Sequence, residues 1–279
     1  MTALRRLAFI FLSTAFGLLT ASCANRSTRL AAQPAPARPA VHQVVLVVGD
    51  SLVAQASADL RAATNSGVEV RVSAQLGSAP CDWYGRRFEA ALAADRPTVV
   101  IFAFTGNAGS APNCVNSAIA YPLTELLANY RANLMAMADR AENIGARVVY
   151  SAPPARNPLV PAPPPIPTAD SLRNGPTKFY GFQGVSQLRS FYADLALTPG
   201  RNWRFSDAAA QAVSPGFAYT RTLPCTDADG LCPSGYVDVR DVPTDAIHLD
   251  RDGHGARRFA EALLSEALPA DAQSRENYG

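Results

Sequence analysis

Stretches with the spacing of buried strands alternate along this chain with stretches of helical spacing, and the alternation restricts the fold more than any other feature. Residues 43–48 run Gln-Val-Val-Leu-Val-Val. An apolar run that does not alternate with polar residues suits a strand buried on both faces of a parallel sheet. From Leu52 the small and apolar residues return as Ala56, Leu60 and Ala63, a helical period ended by Asn65, Ser66 and Gly67. Residues 68–74 read as a second strand, 86–94 as a helix and 98–104 as a third strand. A long helix over 123–144 closes at Gly145, a residue that takes the left-handed helix end at little cost, and 147–151 is strand four. A helix over 187–197, a strand over 203–206 and a last helix over 255–268 complete the pattern. The prediction is an α/β fold, a central parallel sheet covered by helices on both faces in a three-layer α/β/α sandwich. One domain spans 41–268, and 269–279 is a tail.

Ahead of that domain the chain changes character. Arg5 and Arg6 precede an apolar run from residue 7 to residue 21, and the small residues Ala21 and Ser22 follow. These are the parts of a secretory signal over 1–22, and the run is shorter than the roughly 20 residues a membrane-spanning helix needs. Leu19-Thr20-Ala21-Ser22-Cys23 is similar to the lipobox of bacterial lipoproteins, in which the cysteine is lipidated and becomes the new N-terminus. Thr20 departs from the usual aliphatic residue, so plain secretion is the alternative. Residues 23–40, with Pro34, Pro36 and Pro39, have no periodicity and read as a semi-extended tether.

Both readings place the folded part outside the cytoplasm, either membrane-anchored through Cys23 or secreted. With Arg5 and Arg6 removed, 23 basic residues face 23 acidic ones. A phosphate backbone is neutralised by clustered Lys and Arg, so this balance argues against a nucleic-acid partner. At 48% apolar and 17% charged, the chain is neither a charge-rich disordered protein nor a polytopic membrane protein.

Export also bears on the cysteines. With Cys23 set aside, Cys81, Cys114, Cys225 and Cys232 remain, an even number in an oxidising compartment, with three pairings open. Three scattered histidines and paired cysteines do not have metal-ligand spacing, so no metal or other cofactor is expected. Residues 153–167 carry eight prolines in fifteen positions. That excludes a helix or central strand and makes a loop at the C-terminal end of strand four, where ligands bind in such sheets.

Val48-Gly49-Asp50-Ser51-Leu52 ends the first strand. A serine at this turn has its hydroxyl at the sheet's C-terminal edge and its own N–H at a helix start, where developing negative charge is favoured. Asp and Ser are also ordinary helix caps, so the case needs a base. His42 precedes strand one, at the wrong edge, and His254 lies in Asp252-Gly253-His254-Gly255 at the mouth of the last helix, as a cap or surface group. His248 stands in Asp245-Ala246-Ile247-His248-Leu249. If the intervening residues turn, the Asp245 carboxylate reaches Nδ1 and leaves Nε2 to take a proton from a serine.

Taken together, Gly-Asp-Ser-Leu after strand one, a glycine after strand two, an asparagine after strand three and Asp-x-x-His before the last helix resemble the SGNH hydrolases, also called GDSL esterases and lipases. The resemblance covers most of the chain after the tether and implies a flavodoxin-like sheet and ester hydrolysis through an acyl-enzyme. It assigns Ser51 as nucleophile, His248 as general base and Asp245 as the group that orients it. The implied oxyanion hole comprises the Ser51 and Gly77 backbone N–H groups and the Asn107 side-chain amide. Thr105-Gly106-Asn107-Ala108 departs from the family's usual Gly-x-Asn-Asp block, and Ser78 N–H is an alternative to Gly77. Val53 stands where an α/β-hydrolase elbow has its second glycine, which disfavours that fold.

On this fold Cys81 and Cys114 lie on the loops after strands two and three, so the favoured bridges are Cys81 with Cys114 and Cys225 with Cys232. Trp83 and Tyr84 follow on the same rim, where an aromatic pair stacks on a sugar ring or covers an acyl group, core packing being the alternative for Trp83. The expected partner is an ester-bearing small molecule, glycan or lipid, met by a monomer. Three functions stay open. The first is an exported serine esterase that removes a short acyl group, such as acetyl, from an envelope glycan or glycolipid. The second is an acyltransferase with the same triad, and the third a glycan-binding lipoprotein without turnover.

Overall fold

The computed structural model describes residues 42–64, 67–111, 114, 123–159, 185–241, 247–250, 253–265 and 267, all in the unit that begins at Ala40. Residues 1–40, read from the sequence as signal and tether and including Cys23, lie outside the described residues, as do Asp245, residues 160–167 and residues 269–279. Among the described residues no helix is long and apolar enough to cross a membrane.

Five strands form the sheet: β1 (Gln43–Gly49), β2 (Val68–Ala74), β3 (Val99–Ala103), β4 (Arg147–Ser151) and β5 (Trp203–Ser206). Their order is β2-β1-β3-β4-β5 and every pairing is parallel. The chain steps from β1 outward to β2 and then returns to β3 on the other side of β1. Such a reversal opens a crevice at the C-terminal strand ends, the ligand position in sheets of this order.

Alternate residues of the inner strands feed two cores, while the edge strands β2 and β5 each pack on one. Leu46, Val48, Val100, Phe102, Val148 and Tyr150 face one side. There they pack on α3 (Pro80–Trp83), α4 (Arg86–Asp95), α5 (Leu123–Asn143) and α6 (Val185–Ala196). Val45, Val47, Val99, Ile101 and Val149 face the other side. Their partners are α1 (Ser51–Gln55), α2 (Ser57–Ala62), α7 (Ala208–Val213) and α8 (His254–Ser265). The layers are therefore α/β/α, and strands buried on both faces explain the apolar runs.

The helix expected from Leu52 is two helices, α1 and α2, broken at Ala56, and the last helix runs His254–Ser265. Not legible in the sequence were α3, α7 and a small hairpin of β6 (Thr222–Pro224) with β7 (Tyr236–Asp238). Cys225–Cys232 closes this hairpin and Cys81–Cys114 joins the loops after β2 and β3, which are the two favoured pairings.

Candidate active site

The site begins where β1 runs out. A Cβ on Gly49 would lie 2.4 Å from both the Ala103 carbonyl oxygen and Val53 Cγ2, so only glycine lets β1 approach β3 and turn directly into α1. Asp50 is fully buried at the head of α1 and accepts from Leu52 N–H at 3.3 Å through one oxygen. Its other oxygen collects Thr105 N–H at 2.7 Å, the Thr105 hydroxyl at 2.6 Å and Asn107 Nδ2 at 2.9 Å. Burial pushes this carboxyl up to about 6, against the pull of the Thr105 and Leu52 hydrogen bonds and the attraction of His248. Asp50 is thus the tie between the β1 turn and the β3 loop, a role that its capping position alone did not disclose. Ser51 opens α1, 7% exposed, and its hydroxyl makes no hydrogen bond to a described residue.

After β2, Gly77 is buried at φ 66°, a left-handed conformation that favours glycine. Its N–H donates to no described group, whereas the alternative donor, Ser78 N–H, is already bonded to the Gln75 carbonyl at 3.2 Å. Asn107 is buried beside it. One Nδ2 hydrogen serves Asp50 and the other faces the Ser78 carbonyl across a long 3.4 Å contact. Two buried tyrosines hold this loop from below, Tyr130 donating to the Asn107 carbonyl at 2.7 Å and Tyr192 to the Phe104 carbonyl at 2.9 Å. A tyrosine in a helical apolar stripe reads as core, so neither contact was visible in the sequence.

The rim above is cross-linked twice. Beside the Cys81–Cys114 bridge, Asp82 accepts from Ala79 N–H, Ser110 N–H and Ala111 N–H at 2.8 Å each, and from the Ser110 hydroxyl at 3.0 Å. Cys81, Asp82 and Cys114 are close enough to one another for a metal, but the two sulfurs are bonded together and offer no thiolate. Of the two readings of Trp83, its burial favours core packing. It is 3% exposed in the core, its Nε1–H donates to Ser78 Oγ at 3.0 Å, and the Arg87 guanidinium lies 3.8 Å over its ring. No face of the indole is open to a sugar. Tyr84, 43% exposed, is the rim aromatic that remains.

His248 lies in a short antiparallel ladder that continues β7. Arg240 pairs with Leu249, Asp241 N–H donates to the His248 carbonyl at 3.2 Å, and Asp250 N–H to the Val239 carbonyl at 3.4 Å. Leu249 N–H then donates to Gln55 Oε1 at 3.1 Å, across 194 positions of sequence, which brings the His248 segment against the helix that starts at Ser51. The buried Arg240 donates from Nη1 to the Ile247 carbonyl at 2.7 Å. Asp250 caps α8 through His254 N–H and Gly255 N–H, and a Cβ on Gly255 would sit 2.1 Å from the Val239 oxygen.

The other two histidines are elsewhere, an exposed His42 at 3.4 Å from Glu69 and His254 at 3.3 Å from Asp229. Asp229, which also pairs with Arg257 and Arg258, fastens the Cys225–Cys232 loop to α8. Ser51, Gly77, Asn107 and the backbone of His248 therefore meet at one edge. A serine hydroxyl at the strand end, the unbonded Gly77 N–H and a histidine in that arrangement have the parts for acyl transfer.

No protein-family model matches the chain, and no curated protein sequence does. Several solved structures are similar at low identity. A lipolytic protein of the G-D-S-L family from Desulfitobacterium hafniense is 17% identical over 81% of this chain and 100% of its own, with a TM-score of 0.48. A carbohydrate acetylesterase from Sinorhizobium meliloti is 17% identical over 81% and 98%, TM-score 0.45. A catalytic mutant of an acetylxylan esterase from Geobacillus stearothermophilus is 16% identical over 82% and 96%, TM-score 0.44.

Proposed function

We propose that this chain is a carboxylic ester hydrolase of the SGNH type, working through an acyl-enzyme on Ser51. What carries the reading is the hydrogen bond from Leu249 to Gln55, which brings the neighbour of His248 onto the helix that begins with Ser51. In the proposed reaction Ser51 Oγ attacks the ester carbonyl carbon while His248 Nε2 takes the hydroxyl proton. The carbonyl oxygen becomes an oxyanion, and Ser51 N–H, Gly77 N–H and the second Asn107 N–H donate to it, the last giving up its long 3.4 Å contact with the Ser78 carbonyl. Collapse breaks the C–O bond and His248 returns the proton to the departing alcohol. Water, deprotonated by the same imidazole, then releases the acid and restores the serine. Asp245 is assigned the carboxylate that holds His248 Nδ1–H.

The substrate assigned is a short acyl ester, acetyl foremost, on an envelope glycan or glycolipid. Tyr84 on the rim supplies an aromatic face for a sugar ring. Export under the signal at residues 1–22 and lipid attachment at Cys23 belong to the same proposal, and mass spectrometry of membrane-extracted protein tests them. A modified Cys23 at the new N-terminus is the expected result, and an unmodified soluble form rejects the anchor.

The decisive test of the chemistry treats purified protein with a fluorophosphonate probe and with p-nitrophenyl acetate. Wild type is expected to be labelled and to turn over, and Ser51→Ala to do neither while remaining folded. A folded wild type that takes up no probe rejects covalent catalysis.

A further inference from the structure

His248 carries its imidazole on a segment that no local structure relates to Ser51. The two sites are almost two hundred residues apart, and a serine–imidazole pair works only when held to within about 0.5 Å of productive geometry. Three consecutive residues of the segment each have one backbone group fixed: the Ile247 carbonyl by Arg240, the His248 carbonyl by Asp241 N–H, and the Leu249 N–H by Gln55. Two of these three bonds come from side chains, and both side chains reach other parts of the site's edge.

Gln55 is the last residue of α1, four positions after Ser51, so it and the nucleophile project from one face of the same helix. Arg240, only 2% exposed, also donates from Nη2 to the Ala155 carbonyl at 3.3 Å, to the Val213 carbonyl at 3.4 Å and to Ser214 Oγ. Ser214 Oγ in turn accepts Ala155 N–H at 3.1 Å. One guanidinium thereby joins the loop after β4, the end of α7 and the residue before His248. A buried guanidinium is a poor source of stability, because an apolar side chain of similar volume is often as good or better. Its planar fork of five donors is what such a junction needs, and a lysine cannot reproduce it.

We propose that Gln55 and Arg240 are positioning residues for His248, a clamp that fixes the backbone on either side of the imidazole and so sets its distance from the Ser51 hydroxyl. The inference rests on the esterase reading for its catalytic consequence, but its structural content stands apart from it. Gln55→Met keeps the side-chain length and removes the acceptor, and Gln55→Glu restores an acceptor at the same reach. Arg240→Met keeps the volume and removes the fork.

The test uses the full chain and two measurements. In the first, kcat and KM for p-nitrophenyl acetate are compared with the unfolding midpoint. Gln55→Met and Arg240→Met are each expected to lose at least tenfold in kcat with KM within about twofold, since a displacement of about 1 Å can cost 10²-fold. Both are folded at the assay temperature, and Gln55→Glu recovers most of the rate. In the second, imidazole resonances are read by nitrogen-15 histidine NMR, sparse because the chain has three histidines. The His248 signal is expected to shift or broaden in both methionine variants while those of His42 and His254 stay in place. If wild type neither turns over nor labels but His248 still responds, the clamp stands and the esterase reading falls. Folded methionine variants with an unchanged His248 signal and unchanged kcat overturn the clamp.

Discussion

The Asn107 amide donates to the Asp50 carboxylate at 2.9 Å, so the acid beside the assigned nucleophile and the assigned oxyanion donor form one hydrogen-bonded unit. Asp50 chooses which end of the amide faces inward, because only the nitrogen can donate to a carboxylate. It also fastens Thr105 by two bonds, and the loop after β3 cannot move without breaking them.

Ionising Asp50 costs stability in the folded state. Its carboxyl is raised from 3.8 to about 6, so the contribution from this group is fully present below pH 3.8 and is lost as pH rises through about 6. The shift corresponds to about 3 kcal/mol. The stability of wild type relative to Asp50→Asn is expected to fall by about that amount between pH 3.5 and pH 7, read from denaturant unfolding at each pH. A difference that does not vary with pH contradicts the buried ionisation.

Asn107→Ala removes one proposed oxyanion donor and one of the hydrogen bonds on Asp50. Loss of such a donor typically lowers kcat by about 10²–10³. The expected variant retains fluorophosphonate labelling at a reduced rate and hydrolyses p-nitrophenyl acetate above background. Activity equal to wild type takes Asn107 out of the oxyanion hole.

The Cys81–Cys114 bridge closes a loop with a sequence separation of 33 that contains Asn107. Opening it by Cys81→Ala with Cys114→Ala is expected to lower stability by about 2–4 kcal/mol. Measured at a temperature where the variant is fully folded, kcat is also expected to drop, because the loop that carries Asn107 loses its covalent tie to the loop after β2. A stability loss with kcat intact identifies the bridge as structural alone.

Trp83 and Tyr84 are neighbours in sequence with opposite environments, and substitution separates them. Trp83→Phe breaks the bond to Ser78 Oγ and is expected to lower the unfolding midpoint by several degrees with KM unchanged. Tyr84→Ala is expected to leave the midpoint in place and raise KM for an acetylated oligosaccharide. The reverse pattern makes Trp83 the sugar platform after all.

Most of the sheet was readable because inner strands such as 43–49 and 99–103 are buried on both faces and carry unbroken or nearly unbroken apolar runs, while the edge strand 68–74 alternates apolar with polar residues. Gly49, Asp50 and Ser51 stood out as a turn for the same reason, as polar and small residues ending an apolar run. Short elements were not readable. The six-residue helix Ala208–Val213 and the three-residue strands of the hairpin are too brief to show a period, and they form because neighbouring layers and a disulfide hold them.

The amino-acid sequence alone therefore determined the α/β alternation, both disulfide pairings as the favoured ones, and which serine and histidine carry the resemblance. Only the tertiary structure decided that Gln55 and Leu249 meet, that Asp50 is tied to Asn107 and that Trp83 is core. Periodicity is a property of neighbours along the chain and is written locally. A hydrogen bond between residues 194 positions apart depends on how two layers settle on a sheet, and no spacing in the sequence encodes it.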